Sequence, residues 1–279
     1  MHPDQITTFL DLADSRSFHR TAERLGITQS TVSARIAGLE AVLSTRLFTR
    51  SRAGAHLTTE GLKFAPHARA LRHAFAEAAR SVTPTGEAAV SLRIGIQTDL
   101  AAHRLGDWME GFRRALPDVA FYVEPDYSAQ MCRDLAEGRL DFAVLYTPHP
   151  APDLHFTTLG EARYRLISTH AERLAEIDPK RTIRANYAPA FATAQSQILP
   201  GIDEAPLASG QSAAVMALLS TLGGSAYVLD SGPPAAPFRW IADAAPIGQP
   251  VHAATHLRHR TTPMHRALLR IMQRQFARP

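Results

Sequence analysis

The sequence predicts two architectures in one chain: an N-terminal all-α winged helix-turn-helix with a long helix behind it, then a C-terminal α/β domain. Three observations carry this. Residues 24–40, RLGITQSTVSARIAGLE, form a helix whose outer face is small and hydroxylated where a surface helix ordinarily carries Lys and Glu. Residues 41–59 contain no acid, while Arg46, Arg50 and Arg52 fall in or beside that run. From residue 90 onward, short apolar runs alternate with stripes of helical period.

The totals agree. A chain of 279 residues, 45% of them hydrophobic, suits two or three domains with real cores. Net charge is only +4, and all of the 30 basic residues except Lys63 and Lys180 are arginine, so placement of charge says more than its sum. A single cysteine, Cys132, excludes an internal disulfide framework and a cysteine-based zinc site. MHPDQITTF lacks the basic start and apolar core of a signal peptide, and no apolar run approaches the roughly 20 residues of a membrane span. A cytoplasmic protein without a membrane partner is expected.

Taken in order, Ile6, Phe9, Leu10 and Ala13 mark the first helix by their i, i+3, i+4, i+7 spacing. Ser17 is a candidate N-cap for a second, which turns Phe18, Ala22 and Leu25 inward. Gly26 breaks it and Thr28 caps a third, which completes a helix-turn-helix. Val32, Ile36 and Leu39 cluster on one side of this helix; Ser30, Ser33, Ala34 and Ala37 point the other way. Small side chains let a helix lie deep in a major groove, hydroxyls bond bases or phosphates, and Gln29 in the first turn suits an adenine edge. The other reading is that the small face packs on another part of the same protein. TRSRAGAHLT then forms a short hairpin or wing around Gly54. Its arginines suit phosphates or a minor groove. A long helix over about residues 59–82 carries Phe64, Ala68, Leu71, Phe75, Ala78 and Val82 in alternating steps of four and three, a coiled-coil seam that predicts a second copy as partner. TPTGEA, residues 83–88, is the linker.

Beyond it, Val90, Leu92, Ile94 and Ile96 alternate as a strand, and Leu105, Trp108, Met109, Phe112 and Leu116 form a helical stripe. FYVEP is a strand, Met131 and Leu135 mark a helix, and DFAVLY (141–146) is a continuous apolar strand. Strand, helix, strand, helix, strand predicts a parallel sheet with crossover helices. A second round follows: strand RLIST, short strand AFAT, helix QSAAVMALLSTL, strand SAYVLD and returning strand VHAATH. Pro263 opens a last helix through Leu268, Ile271 and Met272.

With these pieces in order, FLDLADSRSFHRTAERLGITQSTVSARIAGLE, LFTR and LTTEG resemble the LysR-type transcriptional regulators, and the likeness extends over the whole chain. YAPAFATAQSQ (187–197) resembles the branch that contains a repressor of the flagellar master operon. The resemblance implies a winged helix-turn-helix, a dimerising linker helix and a two-lobed, periplasmic-binding-protein-like (type 2) domain. The expected boundaries are 1–58, 59–88 and 89–279, with one lobe at about 89–163 and 251–279 and the other at about 164–250. It also implies double-stranded promoter DNA as partner, a homodimer or homotetramer, RNA polymerase as a further candidate partner, and a small effector between the lobes. Carried over, Gln29, Ser30 and Ser33 take base-facing positions, with Thr28 and Thr31 beside them, and Arg50 and Arg52 belong to the wing. One departure stands out: many relatives place Arg or Gln right after Ser33, where this chain has Ala34. Its arginine is Arg35, which turns to the flank as a phosphate contact or an intramolecular partner.

In such a domain ligands lie at the carboxyl ends of parallel strands and at helix N-termini. This selects Gln97, Thr98 and Asp99, then Tyr146 and Thr147, and in the second lobe Thr193 and Ser209 to Ser212, Gln211 among them. The expected ligand is small and polar, with a carboxylate for the helix N-termini and an amine or hydroxyl for Asp99, unless Asp99 is only a cap. No metal or cofactor is expected: His252 and His256 on one strand face stand about 13 Å apart, too far for one ion. Nor is an enzyme, since no G-x-S-x-G, P-loop or G-x-G-x-x-G pattern occurs where it should. The competing reading is a small-molecule binding protein or enzyme that uses its N-terminal helices only for dimerisation.

Overall fold

In the computed structural model the described residues are 1–51, 54–82 and 90–276. They form two compact units, an N-terminal one that ends with a long helix and a C-terminal one. Among these residues no helix is long and apolar enough to cross a membrane.

The N-terminal unit opens with α1 (Pro3–Ser15), α2 (Phe18–Leu25) and α3 (Gln29–Leu43). Each start is local chemistry. His2 and Gln5 form a reciprocal capping box around Pro3. The Ser17 hydroxyl accepts from the Arg20 amide, and that of Thr28 accepts from the Thr31 amide. Gly26 ends α2 at φ 63°, and a Cβ there would meet nothing within 4 Å, so the glycine answers a backbone demand and not crowding. The hairpin β1 (Phe48–Ser51) and β2 (Gly54–Leu57) follows, antiparallel, with Phe48 opposite Leu57. Glu40 at the end of α3 accepts from the amides of Leu47 and Phe48 at 2.7 and 3.1 Å and so pins the hairpin to the helix.

Then α4 (Thr59–Ser81) runs through Pro66. Its seam divides. Ala68 is buried, and Phe64 and Leu71 pack on the core of Ile6, Phe9, Leu12, Val32, Ile36 and Leu39, with the Phe64 ring 5.1 Å from that of Phe9. The expected dimer seam is therefore corrected over its first half: those side chains complete the core of their own domain. Phe75, Ala78 and Val82 are exposed. The expected linker, 83–88, lies outside the described residues.

In the C-terminal unit β3 (Val90–Gln97) leads into α5 (Thr98–Ala115), β4 (Val119–Asp126), α6 (Ser128–Ala136) and β5 (Phe142–Leu145). β3 pairs in parallel with both β4 and β5, as the alternation predicts. Beyond that the sheet is mixed. β6 (Leu154–Ser168) is a 15-residue strand of which the sequence reading caught only the end. The rest comprises β7 (Ile183–Ala185), α7 (Pro189–Ile198), β8 (Leu207–Ser209), α8 (Ser212–Leu222), β9 (Ser225–Leu229), β10 (Arg239–Trp240), β11 (Ile247–His256) and α9 (Pro263–Phe276). Residues 154–164 of β6 pair antiparallel with β11, which also flanks β5; residues 164–168 pair with β9. β7 and β8 form a small parallel sheet, joined to β9 by the bridge Thr182–Ser225. Two lobes thus share the long strands β6 and β11.

AFAT is a second correction. It lies within α7, which Pro189 opens at its first position. Ala is the best helix former, and one phenylalanine among alanines cannot tell period two from period 3.6.

Candidate functional site

The outer face of α3 is bare as expected. Thr28, Gln29, Ser30, Ala34 and Ala37 are exposed, and Thr31 and Ser33 partly so, while Val32, Ile36 and Leu39 are buried beneath. At its N-terminus the Thr28 hydroxyl lies 2.8 Å from those of Ser30 and Thr31. These hydroxyls form one donor–acceptor cluster beside the helix's free amides, which suits a phosphate oxygen. Arg35 turns inward along the flank, where it donates to Asp4 Oδ2 at 2.7 Å and to the Thr8 hydroxyl at 3.4 Å. Of the two roles expected for it, the structure fills the intramolecular one.

The wing adds what sequence reasoning missed. The Arg50 guanidinium stands 4.0 Å above the Phe18 ring and donates to the Ser33 hydroxyl at 3.3 Å. A stacked, hydrogen-bonded arginine is pre-organised, and this one lies beside the recognition face. Nothing local links positions 18, 33 and 50. Arg52 lies outside the described residues.

In the C-terminal unit the predicted residues gather around Ser128, which the sequence did not single out. Its hydroxyl donates to Gln97 Oε1 at 2.9 Å and accepts from the amides of Tyr146 and Thr147 at 3.2 and 3.1 Å. Gln97 is buried, as is Tyr146; Thr98 and Thr147 are half-buried.

Asp99 is not a cap. It sits in the first turn of α5, not at the N-cap, which is Gln97. It is fully buried, and its Oδ2 accepts from the hydroxyls of Tyr146, at 2.8 Å, and Tyr164. Those hydroxyls are 2.5 Å apart. Tyr187 stacks on Tyr164 with centroids 4.9 Å apart, and Phe191 packs edge-on against both rings. Oδ1 has no hydrogen-bond partner; the amides of Asp99 and Leu100 favour the ionised form but complete no bond to it. Burial raises the Asp99 pKa, the two hydroxyls pull it back, and the tyrosines are raised in turn by burial and by the carboxylate. The polar atom set aside for a ligand is thus walled by aromatic rings of both lobes.

The second-lobe selections fare unevenly. Thr193 lies on the exposed side of α7, with its hydroxyl bonded back to the Pro189 carbonyl; Phe191 and Gln195 take the buried face. Ser209 accepts from the Gln211 amide, and Gln211 is exposed. Between them, a Cβ on Gly210 would stand 3.1 Å from the Asn186 carbonyl and 3.3 Å from the Tyr127 hydroxyl, so the two lobes approach closely here. His252 meets the Thr158 hydroxyl and His256 accepts from the Arg258 amide.

Residues 3–62 match the family model of bacterial regulatory helix-turn-helix proteins, lysR family, and residues 85–186 match that of the LysR substrate binding domain. The chain is 34% identical over 146 residues to a probable hydrogen peroxide-inducible genes activator of Mycobacterium xenopi, which covers 51% of this chain and 76% of that protein. With the HTH-type transcriptional regulator HdfR of Yersinia enterocolitica it shares 28% identity over 264 residues, 91% of this chain and 90% of the other. The solved structure of HinK, a LysR family transcriptional regulator from Pseudomonas aeruginosa, has the same fold at a TM-score of 0.57 and 19% identity, over 99% of this chain and 98% of that one.

Proposed function

The chain belongs to the LysR family of DNA-binding transcriptional regulators with an effector-binding domain, and from that premise we propose how its parts divide the work. Residues 1–58 hold promoter DNA, with α3 in the major groove and the wing alongside. Residues 59–88 join two copies through Phe75, Ala78 and Val82. Residues 89–279 take a small effector between the lobes, at the site built on Gln97, Asp99, Ser128, Tyr146 and Thr147, and its binding changes how a homotetramer grips DNA.

The observation that carries the DNA reading is the cleared face of α3 with a wing arginine bonded to its central serine. A face of exposed Ser and Ala flanked by a guanidinium has the shape and charge of a groove reader. The reading in which the N-terminal helices serve only for dimerisation leaves both features without use. Sequencing the genomic fragments that the purified protein retains identifies its sites, and band shifts on them test the geometry. Ser33→Glu places a carboxylate against the groove and abolishes specific binding. Wild-type affinity in that variant would remove α3 as the reader.

A further inference from the structure

A buried carboxylate is ordinarily matched by a cation or by a full set of donors. Asp99 has neither. Among the described residues no basic side chain lies within ion-pairing distance of it, and Oδ1 stands without a hydrogen bond in the interior of the domain. Around it are the rings of Tyr146, Tyr164 and Tyr187, with Phe191 behind. Aromatic faces attract cations and carry no charge of their own, so such a wall around a carboxylate with no cation beside it selects positive charge.

We propose that the effector carries an organic cation, an alkylammonium or guanidinium group, which binds Asp99 Oδ1 against the rings of Tyr146, Tyr164 and Tyr187. This rests on the reading of the interlobe site as the effector site. The site has no room for such a group while the tyrosine hydroxyls cover Oδ2 and the rings close behind them. The ligand therefore enters as the lobes part about β6 and β11. Asp99 and Tyr146 come from one lobe, Tyr187 and Phe191 from the other, and Tyr164 from the connecting strand, so that motion opens the cluster along its middle. The cation then adds a hydrogen bond between two opposite charges at Oδ1, the oxygen that the hydroxyls leave open. A carboxylate-only ligand meets like charge instead.

Binding also moves a proton. Burial raises the Asp99 pKa, so the ligand-free carboxyl is protonated over a wider pH range than an exposed one, and a cation favours its ionised form. Affinity for the cation accordingly rises with pH through the Asp99 titration. The ionisable groups that face Asp99 are Tyr146, Tyr164, Tyr187 and, one turn along α5, His103. The tyrosines are held far above the working range; His103 is the one to control.

The test uses the full chain and calorimetric titration with ethylammonium, 1,4-diaminobutane and L-arginine methyl ester, against acetate, benzoate and glycerol. Expected is saturable binding of at least one cation, weakened about tenfold or more by Asp99→Asn, with a pH dependence that Asp99→Asn flattens and His103→Gln preserves. Binding of acetate or benzoate alone, equal in wild type and Asp99→Asn, would overturn the cationic class and leave the effector site standing. Cation binding indifferent to Asp99→Asn places the cation elsewhere and overturns the assignment to Asp99. Failure of all three cations to bind overturns the proposal and leaves the effector reading of this cleft to ligands of another class.

Discussion

Two arginines close to the recognition helix have opposite fates, and the difference is which neighbour each finds. Arg35 is spent on Asp4 and Thr8. Arg50 is held by a ring and a hydroxyl, neither of which neutralises it, so its charge remains for a phosphate or a base edge. Arg50→Ala should weaken operator binding by about 1–3 kcal/mol and lower the salt slope by about one contact. Arg35→Ala should cost about 0–1 kcal/mol of stability, because Asp4 is half-exposed, and leave affinity nearly unchanged. Band shifts across a salt series separate the two, and equal losses would mean that both reach DNA. Asp99 makes a different residue-scale prediction. Its pKa is raised in the folded state, so the native chain binds the proton more tightly than the unfolded one. The stabilisation is therefore present in acid, below the ordinary carboxylate range, and is lost as pH rises through the raised value. Denaturant melts of wild type should lose stability relative to Asp99→Asn as pH rises through that window. Parallel pH profiles would show that Asp99 does not titrate there.

At the scale of elements, α4 shows how a faultless repeat can serve two tasks. The same seam that reads as a dimer interface is used by α1 for its first half, since Phe64 and Leu71 lie on the Phe9 side of the helix. Phe64→Ala should thus destabilise the N-terminal unit by about 2–4 kcal/mol without changing the oligomer, as measured by thermal melts and light scattering. Dissociation without loss of melting temperature would return that position to the dimer seam. Caps and turns were legible in the sequence because Ser17, Gly26 and Thr28 act within four residues of themselves. The first half of β6 was not: TTLGEA has no alternation of its own, and its partner β11 lies some way down the chain. The Asp99 cluster was half legible. Position after a strand selected Asp99 and Tyr146, but Ser128, Tyr164, Tyr187 and Phe191 meet them only through packing across the lobes, which no local spacing encodes.

For the whole molecule, a modest net charge of +4 means that affinity for DNA comes from where the arginines stand and from how many recognition helices engage at once. Each helix-and-wing releases the counterions of the phosphates it covers, and log K falls with log salt in proportion to their number. A dimer with both helices seated on two half-sites therefore shows about twice the slope of a single copy. Phe75 is the first seam position that remains open, 49% exposed, with Val82 at 81% about two turns beyond it. Phe75→Asp places a charge where two copies of α4 would meet and should dissociate them, since a buried unpaired carboxylate has no compensation. The recognition helix is untouched, so the variant should still bind DNA, but with the salt slope reduced to about half and with no preference for paired half-sites over one. Light scattering and a salt-dependent titration on the same preparation read both consequences. An unchanged mass with an unchanged slope would place the exposed end of α4 outside the dimer interface. A halved slope with an unchanged mass would mean that the copies stay joined through the C-terminal unit while α4 only sets the spacing of the recognition helices.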